Sequence, residues 1–185
     1  MRAALDRLYS LSLWLAGLCL VAIAVLVGLQ VGARLLDSAL RTLGLEQTGF
    51  IVPSLAEIGG FLLAAASFLA LGASLKAGSH IRVTMLLALV GEARRRPMEL
   101  FALGVSALAS GYGTWYTAKL ALDSWTFNEK SYGIVPVPLV IPQASLAIGL
   151  AILTIAILDE LHETAVRGRP SFRSAEDAIA VGKEA

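Results

Sequence analysis

The sequence predicts an all-α integral membrane protein: a four-transmembrane-helix bundle with an interfacial amphipathic helix on the cytoplasmic side, between the second and third spans. Three observations predict it. Hydrophobic residues make up 57% and charged residues 16% of the 185, with a mean hydropathy of +0.74, a balance far from that of a soluble domain. Uncharged stretches include 26 residues from Leu8 to Ala33, 18 from Ile58 to Leu75 and 19 from Leu100 to Ala118, and roughly 17–25 residues of helix cross a bilayer. Distributed over alternate sides of four spans, eleven of the fifteen Lys and Arg residues fall on the side of the two termini. By the positive-inside bias that side is the cytoplasm, whereas the net charge of +1 is uninformative as a total.

The elements follow in order. A basic leader, Met1 to Arg7, precedes the first span, about 8–31. Its uncharged run exceeds the ~7–15-residue core of a cleaved signal peptide, so the span is expected to be retained. A polar connection from Arg34 to Val52, containing Gly44 and Gly49, ends at Pro53, where the second span, about 54–75, begins with proline near its first turn. Glu57 opens that span, and the chain leaves the hydrocarbon at Lys76 and turns at Gly78. Apolar residues return from Ile81 to Val90, too short a run to cross, before Glu92 and Arg94-Arg95-Arg96. The segment of about 81–96 reads as a helix on the membrane surface, its arginines at the anionic headgroups. Pro97 marks the start of the third span, about 98–120, whose far end is crowded with aromatics. Trp115, Tyr116 and Trp125 there, and Trp14 on the first span, suit a headgroup boundary because each joins an apolar body to a polar tip. Pro136, Pro138 and Pro142 forbid a regular helix across the next loop, so the fourth span is placed at about 142–158. One membrane domain, 1–167, is thus followed by a polar tail, 168–185, expected to lack order.

Several chemistries are excluded. Cys19 is the one cysteine, and His80 and His162 both fall at or beyond cytoplasmic helix ends. No haem ligation inside the bundle, no sulfur-based metal site and no buried Ser-His pair is expected, hence no enzyme and no cofactor; no nucleic-acid partner is expected either. A solute pathway usually needs polar groups or broken helices near the bilayer midplane. Here the interior polar residues are mostly Ser and Thr, such as Ser67, Ser106, Ser110 and Thr154, while Gln30, Glu57 and Lys119 lie near helix ends. No pathway is expected within the monomer.

Small residues recur at helical spacing instead: Ala24, Gly28 and Gly32; Ala56, Gly60 and Ala64; Gly104, Ala107 and Gly111. Such stripes let membrane helices approach closely, either within this bundle or against a larger partner. Glu57 has two readings, a pair with a basic group on another helix or chain, or a carboxylate stabilising the first helical turn. Lys119 and Asp123 either pair or reach separately to the interface. His80 is either an interfacial polar residue or a hydrogen-bonding hinge before the surface helix. A stand-alone channel or carrier, with its pathway between copies, is the competing reading; its mark would be a polar stripe down one span.

The run Gly78-Ser79-His80-Ile81-Arg82-Val83, following a span that begins with an acid, resembles the small membrane subunit of tripartite ATP-independent periplasmic (TRAP) transporters, the DctQ-like family. Length, four spans, both ends inside and a proline-containing start of the fourth span followed by Gly149 agree as well. Gln143 to Ile148 departs from the aromatic-rich pattern usual there. The resemblance implies a subunit of the bacterial inner membrane that binds no substrate itself. It would join a large membrane subunit carrying a sodium-driven transport path, with a periplasmic binding protein delivering an organic anion. A partner interface around Glu57, Gly60, Ala64, Gly78, His80 and Arg82 is expected for such a subunit, and the residues themselves suggest that Arg94, Arg95 and Arg96 anchor to anionic phospholipids.

Overall fold

A computed structural model describes residues 2–77 and 92–167. The described chain is helical apart from its loops, with four helices: α1 (Arg2–Thr42), α2 (Leu55–Lys76), α3 (Glu92–Thr126) and α4 (Val140–Arg167). Among the described residues three segments are long and apolar enough to cross a membrane, Ala4–Thr42, Leu55–Lys76 and Val140–Val166. In α3 the uncharged centre is diluted by Ser106, Ser110, Thr114 and Thr117 among glycines and aromatics.

Helix limits differ from those read in the sequence wherever charge was taken as a stop. The α1 helix continues through Arg34, Asp37 and Arg41 to Thr42, where a polar connection was expected. Those charges stand among Leu35, Leu36, Ala39 and Leu40, all good helix formers, and an exposed helix accommodates charge readily. What ends α1 is Gly44, at φ 72°: Gly44 N donates to Arg41 O and Leu45 N to Leu40 O, a left-handed glycine cap. Asn128, at φ 51°, does the same for α3, with Glu129 N donating to Ser124 O. Pro97 does not begin a helix. It lies inside α3, so Glu92–Arg96, expected to close the surface helix, is continuous with the helix that follows. Residues 81–91, the rest of that expected surface helix, lie outside the described residues, as does the 168–185 tail. Pro142 sits in the first turn of α4, where its missing N–H leaves no intrahelical bond unmade. Nor does Asp159 close α4, which runs on to Arg167.

Successive helices alternate in direction along the chain and pack chiefly in a row, α1 on α2, α2 on α4 and α4 on α3, with α1 touching α4 only slightly, so that α2 and α4 run parallel where they meet. The helices converge at the pole carrying the first and last described residues, where Tyr9 of α1, Leu75 of α2, Leu103 of α3 and Ile152, Ala156 and Ile157 of α4 form one apolar cluster. A smaller cluster, Ala16, Ala66 and Leu69, joins α1 to α2. The close approach that fixes the row is between α2 and α4. A β-carbon on Gly149 would lie 2.5 Å from the backbone carbon of Phe68 and 2.6 Å from its oxygen, and one on Gly72 would lie 2.7 Å from Ile152 Cγ2.

Burial is inverted relative to a soluble protein. The largest fully buried side chains are Glu160, Thr164 and Ser124, whereas Leu, Ile, Val and aromatic side chains cover much of the outside. That is the pattern expected of helices whose surroundings are as apolar as their side chains.

Candidate functional site

The buried polar groups gather at the two ends of the helical row. At the pole of the described termini, Lys76, the last residue of α2, lies between Asp159 and Glu160 of α4. Its Nζ donates to Asp159 Oδ2, and to Glu160 Oε1 at 2.8 Å. The same ammonium stands 5.8 Å from the centroid of the Tyr9 ring of α1, within cation–π range. Tyr9 is itself buried, and its hydroxyl finds no hydrogen-bond partner among the described residues. Three helices therefore meet at one cation. Beside them, Arg96 of α3 donates from Nη2 to Ala165 O at 2.7 Å, a cation at the carbonyl end of α4, where the helix dipole favours positive charge.

At the opposite pole, hydrogen bonds fold the loops back onto the helices. Asp37 accepts from Thr48 N at 2.7 Å, Thr48 Oγ1 at 2.6 Å and Gly49 N at 3.1 Å. Gln30, buried, accepts from Val52 N at 2.7 Å. The α3–α4 connection forms a small hairpin, with Ser131 N donating to Val137 O and Leu139 N to Glu129 O. This hairpin is tied to the start of α2, where Ser54, at φ 53°, accepts from Val135 N at 2.9 Å.

Glu57 stands in the first turn of α2, its Oε2 buried against Gly133 of the hairpin and without a hydrogen-bond partner among the described residues. It forms no ion pair among the described residues. Of its two readings, pairing within the described chain drops away, leaving first-turn placement and a partner on another chain. Gly60 is exposed, with open space where a β-carbon would stand, and Ala64 is half-buried. Gly78, His80 and Arg82 lie outside the described residues, and Arg94 and Arg95 fall in the first turn of α3.

The small-residue stripes separate in the same way. Gly28, Gly32, Gly60 and Gly104 face open space, while a β-carbon on Gly111 would lie 3.9 Å from Thr154 Cγ2 and one on Gly113 3.5 Å from Leu150 Cδ1. Among the described residues no other helix packs on Gly28 and Gly32 of the first stripe, which floor an apolar groove between Val25, Leu29 and Leu36 and the loop residues Thr48 and Phe50. Gly72 and Gly149, which make the tightest helix crossing, were not part of any stripe. Their signal, a lone glycine within an apolar helix, does not reveal which face a neighbour will use.

Interior hydroxyls close on their own helices. Ser67 donates to Leu63 O, Thr114 to Ser110 O, Thr117 to Gly113 O and Thr154 to Leu150 O, each at 2.8 Å. Thr114 and Thr154 also meet across the α3–α4 contact at 3.2 Å. Lys119 and Asp123 are both exposed and form no pair with each other. Trp14, Trp115, Tyr116 and Trp125 all face outward, and Tyr116 stacks at a tilt on Tyr112 with ring centroids 4.5 Å apart. No group of His, Cys, Asp and Glu suited to a metal ion occurs among the described residues.

Long apolar helices, with polar groups at the two poles and lipophilic side chains outside, define an integral membrane protein. Residues 40–167 match the family described as tripartite ATP-independent periplasmic transporters, DctQ component, and the chain belongs to that family. It is thus the small component of a tripartite transporter, as the motif around His80 indicated. No curated protein and no solved structure matches the chain.

Proposed function

We propose that the chain is the non-catalytic small membrane subunit of a sodium-coupled transporter for an organic carboxylate, and that its work is mechanical. It anchors a large membrane subunit that carries the transport path, and its outer loops contribute to docking a periplasmic binding protein. In this reading it crosses the bacterial inner membrane four times with both termini in the cytoplasm. Residues 81–96 lie along the inner surface, with Arg94, Arg95 and Arg96 at anionic phospholipid headgroups.

The observation that carries the reading is how the buried polar groups are engaged. Lys76 joins α2 to α4, Thr114 meets Thr154, and Gln30 and Asp37 hold a loop. Each of these fixes one element against another. A chain built this way is suited to resisting deformation while a neighbour moves.

The fourth crossing is supported by the way α3 divides its faces. Phe101, Leu108, Trp115 and Leu122, seven residues apart, are all more than 60% exposed, whereas Ser110 and Thr114 turn towards α4. Polar groups inward and large apolar groups outward suit a helix surrounded by lipid, although its mean hydropathy is lower than that of its neighbours.

Co-purification with the large subunit tests the proposal. Glu57→Leu and His80→Leu are expected to weaken recovery of the large subunit; unchanged recovery with both would confine these residues to an internal role. The chain alone, reconstituted in vesicles, is expected to move neither an organic acid nor sodium. Flux through it would overturn the mechanical reading in favour of a pathway between copies.

A further inference from the structure

We infer that Lys76 is a positioning residue: a fixed joint that sets where α2 ends relative to α1 and α4. The inference deepens the mechanical reading above and rests on it for its consequence in transport.

Position and chemistry support the joint. Lys76 is the final residue of α2, so whatever holds its side chain holds the point at which the chain leaves the helix. Its acidic partners are 83 and 84 residues away in sequence, adjacent on α4, and Glu160 is completely buried. A lysine ammonium has three donors; two are taken by carboxylates on one helix, and the ammonium also lies over the Tyr9 face on another. Opposite charges this close attract one another, the more strongly because Glu160 is fully buried.

Other contacts stiffen the same place. Leu75 and Ile157, neighbours of the paired residues, lie in the apolar cluster with Tyr9. Thr164, fully buried one turn beyond Glu160, donates to Glu160 O at 2.8 Å and so steadies the stretch of α4 that carries the acid. The other polar contacts between helices among the described residues, Thr114 to Thr154 and Arg96 to Ala165 O, each join only α3 and α4. Among the described residues the Lys76 cluster is the one place where three helices converge on a single charge.

The test uses the full-length chain in lipid nanodiscs, with Cys19→Ala to remove the native thiol and spin labels on Ala77→Cys and His162→Cys, both exposed positions. A single narrow inter-label distance is expected in this background and with Lys76→Arg. Lys76→Met is expected to broaden it at least twofold. A distribution as narrow with Lys76→Met as without it would overturn the joint. Uptake by the assembled transporter separates the two levels. Broadening accompanied by several-fold slower uptake supports both, whereas broadening with unimpaired uptake leaves the joint standing and removes the mechanical role.

Discussion

At Gly133 the need for glycine is a matter of room. A β-carbon there would run into Glu57 Oε2 and stand 2.8 Å from both Glu57 Cδ and Ser54 Oγ. Gly133→Ala is expected to push Glu57 aside and loosen the Ser54–Val135 hydrogen bond, destabilising the chain by about 1–2 kcal/mol, within the usual cost of overpacking. Adding Glu57→Ala should restore most of the loss in a thermal melt, because it removes the obstructing carboxylate; no rescue would mean that the hairpin itself cannot accept the methyl group. Glu57 was legible in the sequence as an acid at a helix start, and Lys76 as a charge ending an apolar run. Neither Gly133 over the first nor the Asp159–Glu160 pair around the second was legible. Those partners lie 76 to 84 residues away in sequence, and a local pattern carries no information about such distances.

Among the helices, the decisive contact is α2 against α4, where Gly149 meets the backbone at Phe68. Gly149→Ala should force the pair apart, at a cost of about 1–3 kcal/mol. Gly28→Ala and Gly32→Ala on α1 should leave the isolated chain's melting temperature almost unchanged, since open space faces both positions. Equal losses at Gly149 and Gly28 would mean that the first stripe packs internally after all. The sequence correctly marked α1, α2 and α4 as apolar helices because a long uncharged run has few alternatives in lipid. It placed their ends wrongly where charge was taken to terminate a helix. The ends are set by local backbone chemistry at Gly44 and Asn128, and α4 continues past Asp159 because the acids there meet Lys76.

The described residues form a row of helices, α2 and α4 parallel at its centre with α1 and α3 running the other way on either side, tied at one pole by an ion-pair cluster and at the other by loop hydrogen bonds. In the assembled transporter such a body needs purchase on the membrane, which the proposal assigns to the arginines that open α3. Replacing Arg94, Arg95 and Arg96 together by Glu is expected to cut stable assembly or uptake several-fold, while the binding protein's affinity for its substrate is unaltered. Normal assembly and uptake would remove the anchoring role. Arg96 brings a second consequence, because its bond to Ala165 O is lost in the same variant. Arg96→Glu alone should lower the melting temperature of the isolated chain, whereas Arg94→Glu with Arg95→Glu should act chiefly on assembly.

The sequence by itself determined that this protein lives in a membrane, that its spans are helices and to which family it belongs. These follow from runs of uncharged residues and a short motif, which are properties of neighbours along the chain. Tertiary structure alone decided that the helices stand in a row, that Gly72 and Gly149 rather than the glycine stripe of α1 make the close crossing, and that Lys76 gathers three helices around its charge. Hydrophobicity dictates that a segment is buried in lipid but is nearly indifferent to which side of it meets another helix. That choice rests on a few glycines and charges whose partners only the fold brings near.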